Sequence, residues 1–171
     1  ASAGNQVTTG VQNTFIGGGS GDAITTGASN VAVGANSLTS DTKGQNSVAV
    51  GRQALFTQNQ TTATDVYNTA VGANAGLSVT TGDSNTLIGG LAGDALTTGG
   101  ANVAIGTSAL GADTKGVHNV AIGYQALDAQ NFTTTTNSYN IAIGSSAGGA
   151  VTTGIINTFV GGLSGDAVTT G

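Results

Sequence analysis

Cysteine, proline, methionine and tryptophan are all missing from this 171-residue chain, and glutamate is missing with them. Without cysteine there are no disulfides, no thiol nucleophile and no thiolate zinc cluster. With no proline, and with glycines off any three-residue period, a collagen helix is excluded. Charge is scarce, at 6% of residues against about 25% in an average domain. Three bases, Lys43, Arg52 and Lys115, face eight aspartates for a net charge of −5. That balance leaves no basic footprint for nucleic acid, and an anionic membrane would repel it. No apolar run approaches the roughly 20 residues that cross a bilayer, so no membrane insertion is expected. Aromatic residues make up only 4%, too few for one thick core of large side chains.

Repetition is what the chain has in excess. The pentad Asn30-Val-Ala-Val-Gly34 returns with small variations, its first residue falling at Asn13, Asn30, Ser47, Asn68, Asn85, Asn102, Asn119, Asn140 and Asn157. The steps are 17 residues, apart from two of 21, and a larger period of 72 residues spans four rungs. Residues 1–171 therefore read as a single domain of nine rungs grouped in four-rung super-repeats. Ala1 aligns with Ala73 and Gly171 with Gly99, which leads to the expectation of a segment of a longer fibre.

Each column of the repeat has a physical reading, counted from Asn30 as the first position. The third position is always apolar, the fourth always Ile or Val, and the fifth always Gly. Short β-branched runs bounded by Gly and Asn are strand signals. A 17-residue unit cannot bury its few apolar side chains alone, so the rungs must stack. The expected fold is all-β: a parallel β-solenoid (β-roll) of nine 17- or 21-residue rungs, about 43 Å long at about 4.8 Å per strand. Asn30, Asn102 and their equivalents should form an amide ladder. Gly34 and Gly106 should mark positive φ or close backbone approach. Neighbouring strand residues point to opposite faces, yet the third and fourth positions, as in Ala104 and Ile105 or Ala121 and Ile122, are both apolar. One face can fill the rung; the other needs a partner surface, and self-association is the expectation.

The stretch Asn119-Val-Ala-Ile-Gly-Tyr-Gln-Ala-Leu127, with rungs closed by Thr-Thr-Gly or Thr-Lys-Gly turns, resembles the head repeats of trimeric autotransporter adhesins. It is still more similar to the repeat arrays of bacteriophage tail fibres. The resemblance covers nearly the whole chain. It implies left-handed β-rolls assembled as a homotrimer, in an extracellular fibre that supports host attachment on a virion tail or a bacterial cell surface. Adhesin heads usually have shorter rungs, which favours the phage-like reading and leaves a bacterial surface adhesin head as the alternative.

Material for catalysis is thin. The single histidine, His118, is replaced by Asn46 one super-repeat earlier, and a general base would hardly be an interchangeable turn residue. A triad of His118, Asp113 and a nearby serine is not demanded by the spacing. No catalytic residue, cofactor or metal ligand is expected. Asp22, Asp94 and Asp166 share a column at four-rung intervals of about 19 Å, too far to pair within one chain. The glycine strings before them read as turns, since a calcium roll repeats its aspartates every nine residues. A threonine rank through Thr8, Thr25 and Thr42 suggests an ice-binding solenoid as a weaker alternative, but Lys43 and Lys115 break its neighbouring column. Surface function should sit on the two long rungs, whose extra residues are expected to bulge outward within Phe56–Asp65 and Asp128–Asn137. The candidate ligand contacts there, for a host surface glycan, are Gln58, Asn59, Tyr124, Gln130, Asn131 and Phe132. Tyr67 and Tyr139, at the loop bases, are expected to be packing anchors.

Overall fold

A computed structural model describes residues 2–171. The residues that read as strands in the sequence are strands in the structure, one per rung. They are β1 (Thr14–Ile16), β2 (Val31–Val33), β4 (Val48–Val50), β6 (Thr69–Val71), β7 (Thr86–Ile88), β8 (Val103–Ile105), β10 (Val120–Ile122), β12 (Ile141–Ile143) and β13 (Thr158–Val160). These nine form one parallel sheet in rung order, each pairing with the equivalent residues of the next rung. Two short pairs complete the set: β3 (Gly44–Gln45) with β5 (Thr64–Asp65), and β9 (Gly116–Val117) with β11 (Thr136–Asn137). The chain is a parallel β-solenoid of about nine turns, with no helix among the described residues.

Stacking on equivalent residues demands the same backbone outline in every rung. The fifth-position glycines run at φ between 118° and 142°, which L side chains rarely adopt. They also touch: a Cβ on Gly106 would lie 2.6 Å from the Gly123 carbonyl carbon above it. Both readings made of this column hold together. Left-handed backbone recurs at the seventh, ninth and seventeenth positions too, and there non-glycine residues accept it, including Asn36 (56°), Leu38 (49°) and His118 (65°). Each such residue costs of order 1 kcal/mol and persists because its neighbours above and below impose it.

The first-position asparagines from Asn30 to Asn140 are buried and link the rungs. Asn85 Oδ1 accepts the backbone N–H of Asn102 at 3.1 Å, and Asn102 Oδ1 accepts that of Asn119 at 2.9 Å. The Nδ2 of Asn102 donates to the Gly116 carbonyl at 2.9 Å, closing its own rung across the interior. The ladder is thus mostly side chain to backbone. Ser47 interrupts it, because serine has no amide oxygen to offer the Asn68 N–H.

The third position points inward and the fourth outward. Ala32, Ala49, Ala70, Leu87, Ala104, Ala121 and Ala142 are fully buried, whereas Ile88 is 38% exposed and Ile105 and Ile122 are half-buried. Inside, the third and ninth positions trade volume. Rungs with Phe15, Leu87 or Phe159 carry Gly21, Gly93 or Gly165. A Cβ on Gly93 would sit 2.8 Å from Leu87 Cδ2. Rungs with Ala32, Ala49, Ala104 or Ala121 carry a leucine instead. Where both are small, at Ala70 and Gly76, the room is filled from above and below: Leu87 and Leu55 methyls lie 2.8 and 2.9 Å from a Gly76 Cβ. The 72-residue period is therefore a packing period, large-small then small-large twice then small-small.

Gly106→Ala combines strained φ with a backbone clash and should destabilise by about 3 kcal/mol. Gly90→Ala, whose Cβ would meet nothing closer than the Ala73 oxygen at 3.8 Å, should change stability by less than about 0.5 kcal/mol. Urea unfolding midpoints of the two variants check the contrast.

Candidate functional site

The long rungs do not bulge over ten residues. The chain of the first leaves the wall only at 61–63, which are exposed, and β5 returns it to pair with β3. The second does the same at 133–135, returning through β11. In each rung one further residue turns inward, Val66 or Ser138, and both are fully buried. The Ser138 hydroxyl donates to Asn119 Oδ1 at 2.8 Å.

This geometry divides the six candidate contacts. Gln58 and Gln130 are fully buried and Phe132 is 6% exposed, so none presents a side chain to an outside ligand. That corrects the expectation that loop-rich polar sequence lies outside. The amide of Gln58 donates to Asp41 Oδ2 at 2.6 Å and to Ser47 Oγ at 3.0 Å, and its oxygen accepts Asn68 Nδ2 at 2.9 Å. Gln130 repeats the arrangement with Asp113 at 2.6 Å and Asn140 at 2.8 Å. Asn59 is half-buried and Asn131 exposed, their Oδ1 atoms accepting the hydroxyls of Thr42 and Thr114, each at 3.2 Å. Tyr124 is exposed, on the turn that follows β10.

Tyr67 and Tyr139 are not packing anchors, being 59% and 49% exposed on left-handed backbone at the last position of their rungs. Tyr139 stacks on His118 one rung below, with ring centroids 4.9 Å apart and planes 14° from parallel. His118 is the exposed turn residue the sequence suggests. Asp113 is buried and accepts the N–H groups of Lys115, Gly116 and Phe132 with the Gln130 amide, so the triad geometry is not assembled. The threonine rank is occupied as well: Thr25, Thr80 and Thr97 each donate their hydroxyl to the carbonyl of the rung above at 3.0 to 3.1 Å.

The acidic column contains a member that sequence comparison across super-repeats does not find. Asp128 stands at the tenth position between Asp94 and Asp166, separated from them by Gly111 and Gly149. A Cβ on Gly111 would lie 2.8 Å from Asp128 Oδ1 and 3.7 Å from Asp94 Oδ1, so the two carboxylates converge over the glycine. Burial raises the pKa of Asp94 above the ordinary carboxylate value, and the charge of Asp128 adds to the rise; burial alone raises Asp128. An open cleft of about 290 Å³ lies over Gly149, lined by Gln125, Asp128, Ser146, Ala150 and Asp166. Among the described residues no three His, Cys, Asp or Glu side chains gather closely enough to hold a metal ion. Among the same residues no helix is long and apolar enough to cross a membrane.

No family model, no curated protein and no solved structure matches this chain.

A carboxyl whose folded pKa is raised holds its proton more tightly in the native state, so its contribution to stability falls as pH rises through the window above the unfolded value. Asp94→Asn should therefore raise the urea midpoint at pH 7 relative to the unmodified chain. The difference should shrink as the pH is lowered through the carboxylate range.

Proposed function

We propose that the chain is a structural segment of an extracellular fibre, most similar to a phage tail fibre, that supports host attachment and is assembled as a homotrimer. The observation that carries this reading is the outer face of the nine-stranded sheet. Its two outward columns, the second and fourth positions, contain only Thr, Val and Ile from Thr14 to Val160, with no charge along the whole length of the rod. Exposed β-branched residues continue along it, among them Val71, Ile88, Ile141 and Ile143 at 36 to 39%. An apolar strip of that length is costly to leave in water, and a second copy of the same chain offers a strip of equal length and spacing. The number three and the left hand come from the resemblance of the repeats. The repeating core and the scarcity of charge favour a scaffold over an enzyme. No cofactor is part of the reading. The net charge of −5 argues against nucleic acid as a partner. A host surface glycan remains the proposed outside partner, with exposed 61–63, 133–135, Asn131 and Tyr124 as the surfaces available to it.

The two apolar columns give opposite expectations on substitution. Ala104→Asp places a carboxylate in the fully buried interior and should unfold the chain, at a cost of several kcal/mol. Ile105→Asp lies on the outer face and should leave a folded chain that no longer assembles. Light scattering together with circular dichroism separates the outcomes, and an unmodified chain that ran as a stable 16.3 kDa monomer would overturn the trimer.

Deleting 61–63 and 133–135 should leave the assembly intact. If the segment adheres to host cells and keeps that activity after both deletions, the contact surface lies elsewhere. A membrane-anchoring barrel encoded downstream would instead assign the segment to an adhesin head.

A further inference from the structure

Asp41 and Asp113 are fully buried, in a slot that other rungs fill with Ile24, Val79, Leu96 or Val151. A buried polar group is costly unless it is bonded on every side, so an aspartate in an otherwise apolar column requires a local cause. Its location supplies one. Both aspartates occupy the rung directly beneath a 21-residue rung, and the twelfth position of each long rung itself is Gln58 or Gln130. The coincidence occurs in both super-repeats.

The backbone donors explain it. In several ordinary rungs corner N–H groups reach the thirteenth-position carbonyl of the rung above: Thr25 and Thr26 donate to the Thr42 oxygen at 2.9 and 3.4 Å, and Gly82 to the Thr97 oxygen at 3.2 Å. Where the chain above departs into an outward loop, two donors are turned to the carboxylate instead. Gly44 and Gly116 donate to Oδ1 of the aspartate in their own rung, each at 3.0 Å. Gln60 and Phe132, the last wall residues before 61–63 and 133–135, donate to the same oxygens at 3.0 and 3.1 Å. The second carboxylate oxygen takes the glutamine amide at 2.6 Å in both copies. The glutamine oxygen then takes the first-position asparagine at 2.9 and 2.8 Å, tying the loop base into the amide ladder.

We infer that each Asp–Gln pair is a loop-insertion device. The carboxylate replaces the acceptors that backbone donors lose when the wall opens, so a loop can be let out of the solenoid without unstacking its neighbours. Asp113 and Gln130 are positioning residues for 133–135, and Asp41 and Gln58 for 61–63. The inference is independent of what the loops touch.

The test is a two-by-two comparison of urea unfolding on the full chain. One background keeps the long second rung. The other deletes 133–135 and Ser138 and carries Thr136→Gly, restoring a 17-residue rung with the usual glycine corner. Asp113→Leu together with Gln130→Leu should lower the folding equilibrium constant at least tenfold in the first background. In the second it should lower it less than threefold, or raise it. Equal losses in both backgrounds would overturn the inference, since the pair would then support the core irrespective of the loop. Should a variant fail to fold, amide hydrogen exchange on the unmodified chain decides. The amides of Gln60 and Phe132 are expected to exchange at least a hundredfold more slowly than those of 61–63 and 133–135. Exchange of Gln60 and Phe132 at the loop rate would overturn it.

Discussion

The hydrogen bonds between successive rungs are the constraint on which everything else in this molecule depends. They join strands whose residues lie opposite their equivalents in the next copy, so the backbone must repeat even where the side chains do not. Glycine at the fifth position follows from this, because no other residue fits both the torsion and the carbonyl stacked above. Left-handed leucines and asparagines follow too, held in unfavourable torsions by the rungs on either side. Variation is then confined to side chains that exchange volume inside, and to short excursions outside.

The interior shows how far that exchange can be taken with small residues. Phe15, Leu87 and Phe159 borrow room from glycines in their own rung and in the rung below, while alanine rungs give theirs to leucine. The core therefore has no layer that is complete by itself, and a rung's partners are chosen by the shape left open beneath it. Against this apolar sequence of layers, the Asp and Gln rungs stand out as places where directional bonds replace volume. They occur where the backbone departs from its repeat, and the polar chain from carboxylate to glutamine to asparagine restores the missing bonds.

Much of this was legible in the amino acids. The steps of 17 and 21 residues placed the nine strands, and the invariant Gly columns announced backbone contact. The alternation of Ala104 and Ile105 indicated that a second apolar face exists, though which residue turned inward came only with the structure. Gln58, Gln130 and Phe132 misled because polar stretches in a longer repeat resemble solvated loops. Their burial depends on partners 17 to 19 residues earlier, Asp41 and Asp113, whose own slot is apolar in most rungs. Tyr67 and Tyr139 misled in the opposite sense: large aromatic rings suggest packing, yet the last position of each rung holds no buried residue. Asp128 was hidden because it has no counterpart in the other super-repeat, where Phe56 occupies its place.

The interruption of the amide ladder at Ser47 bears on how such a rod breaks. The bonds between rungs lie along its long axis, so an end-to-end pull is carried in full by every boundary in turn, and the chain of boundaries is only as strong as its weakest link. Most boundaries add an asparagine side-chain bond to the backbone ladder, as from Asn85 to Asn102 and from Asn102 to Asn119. The boundary between the Ser47 and Asn68 rungs lacks that bond and has in its place the Gln58 side-chain oxygen accepting Asn68 Nδ2 at 2.9 Å. Under tension this boundary therefore depends on the loop-base glutamine, where its neighbours depend on an asparagine oxygen.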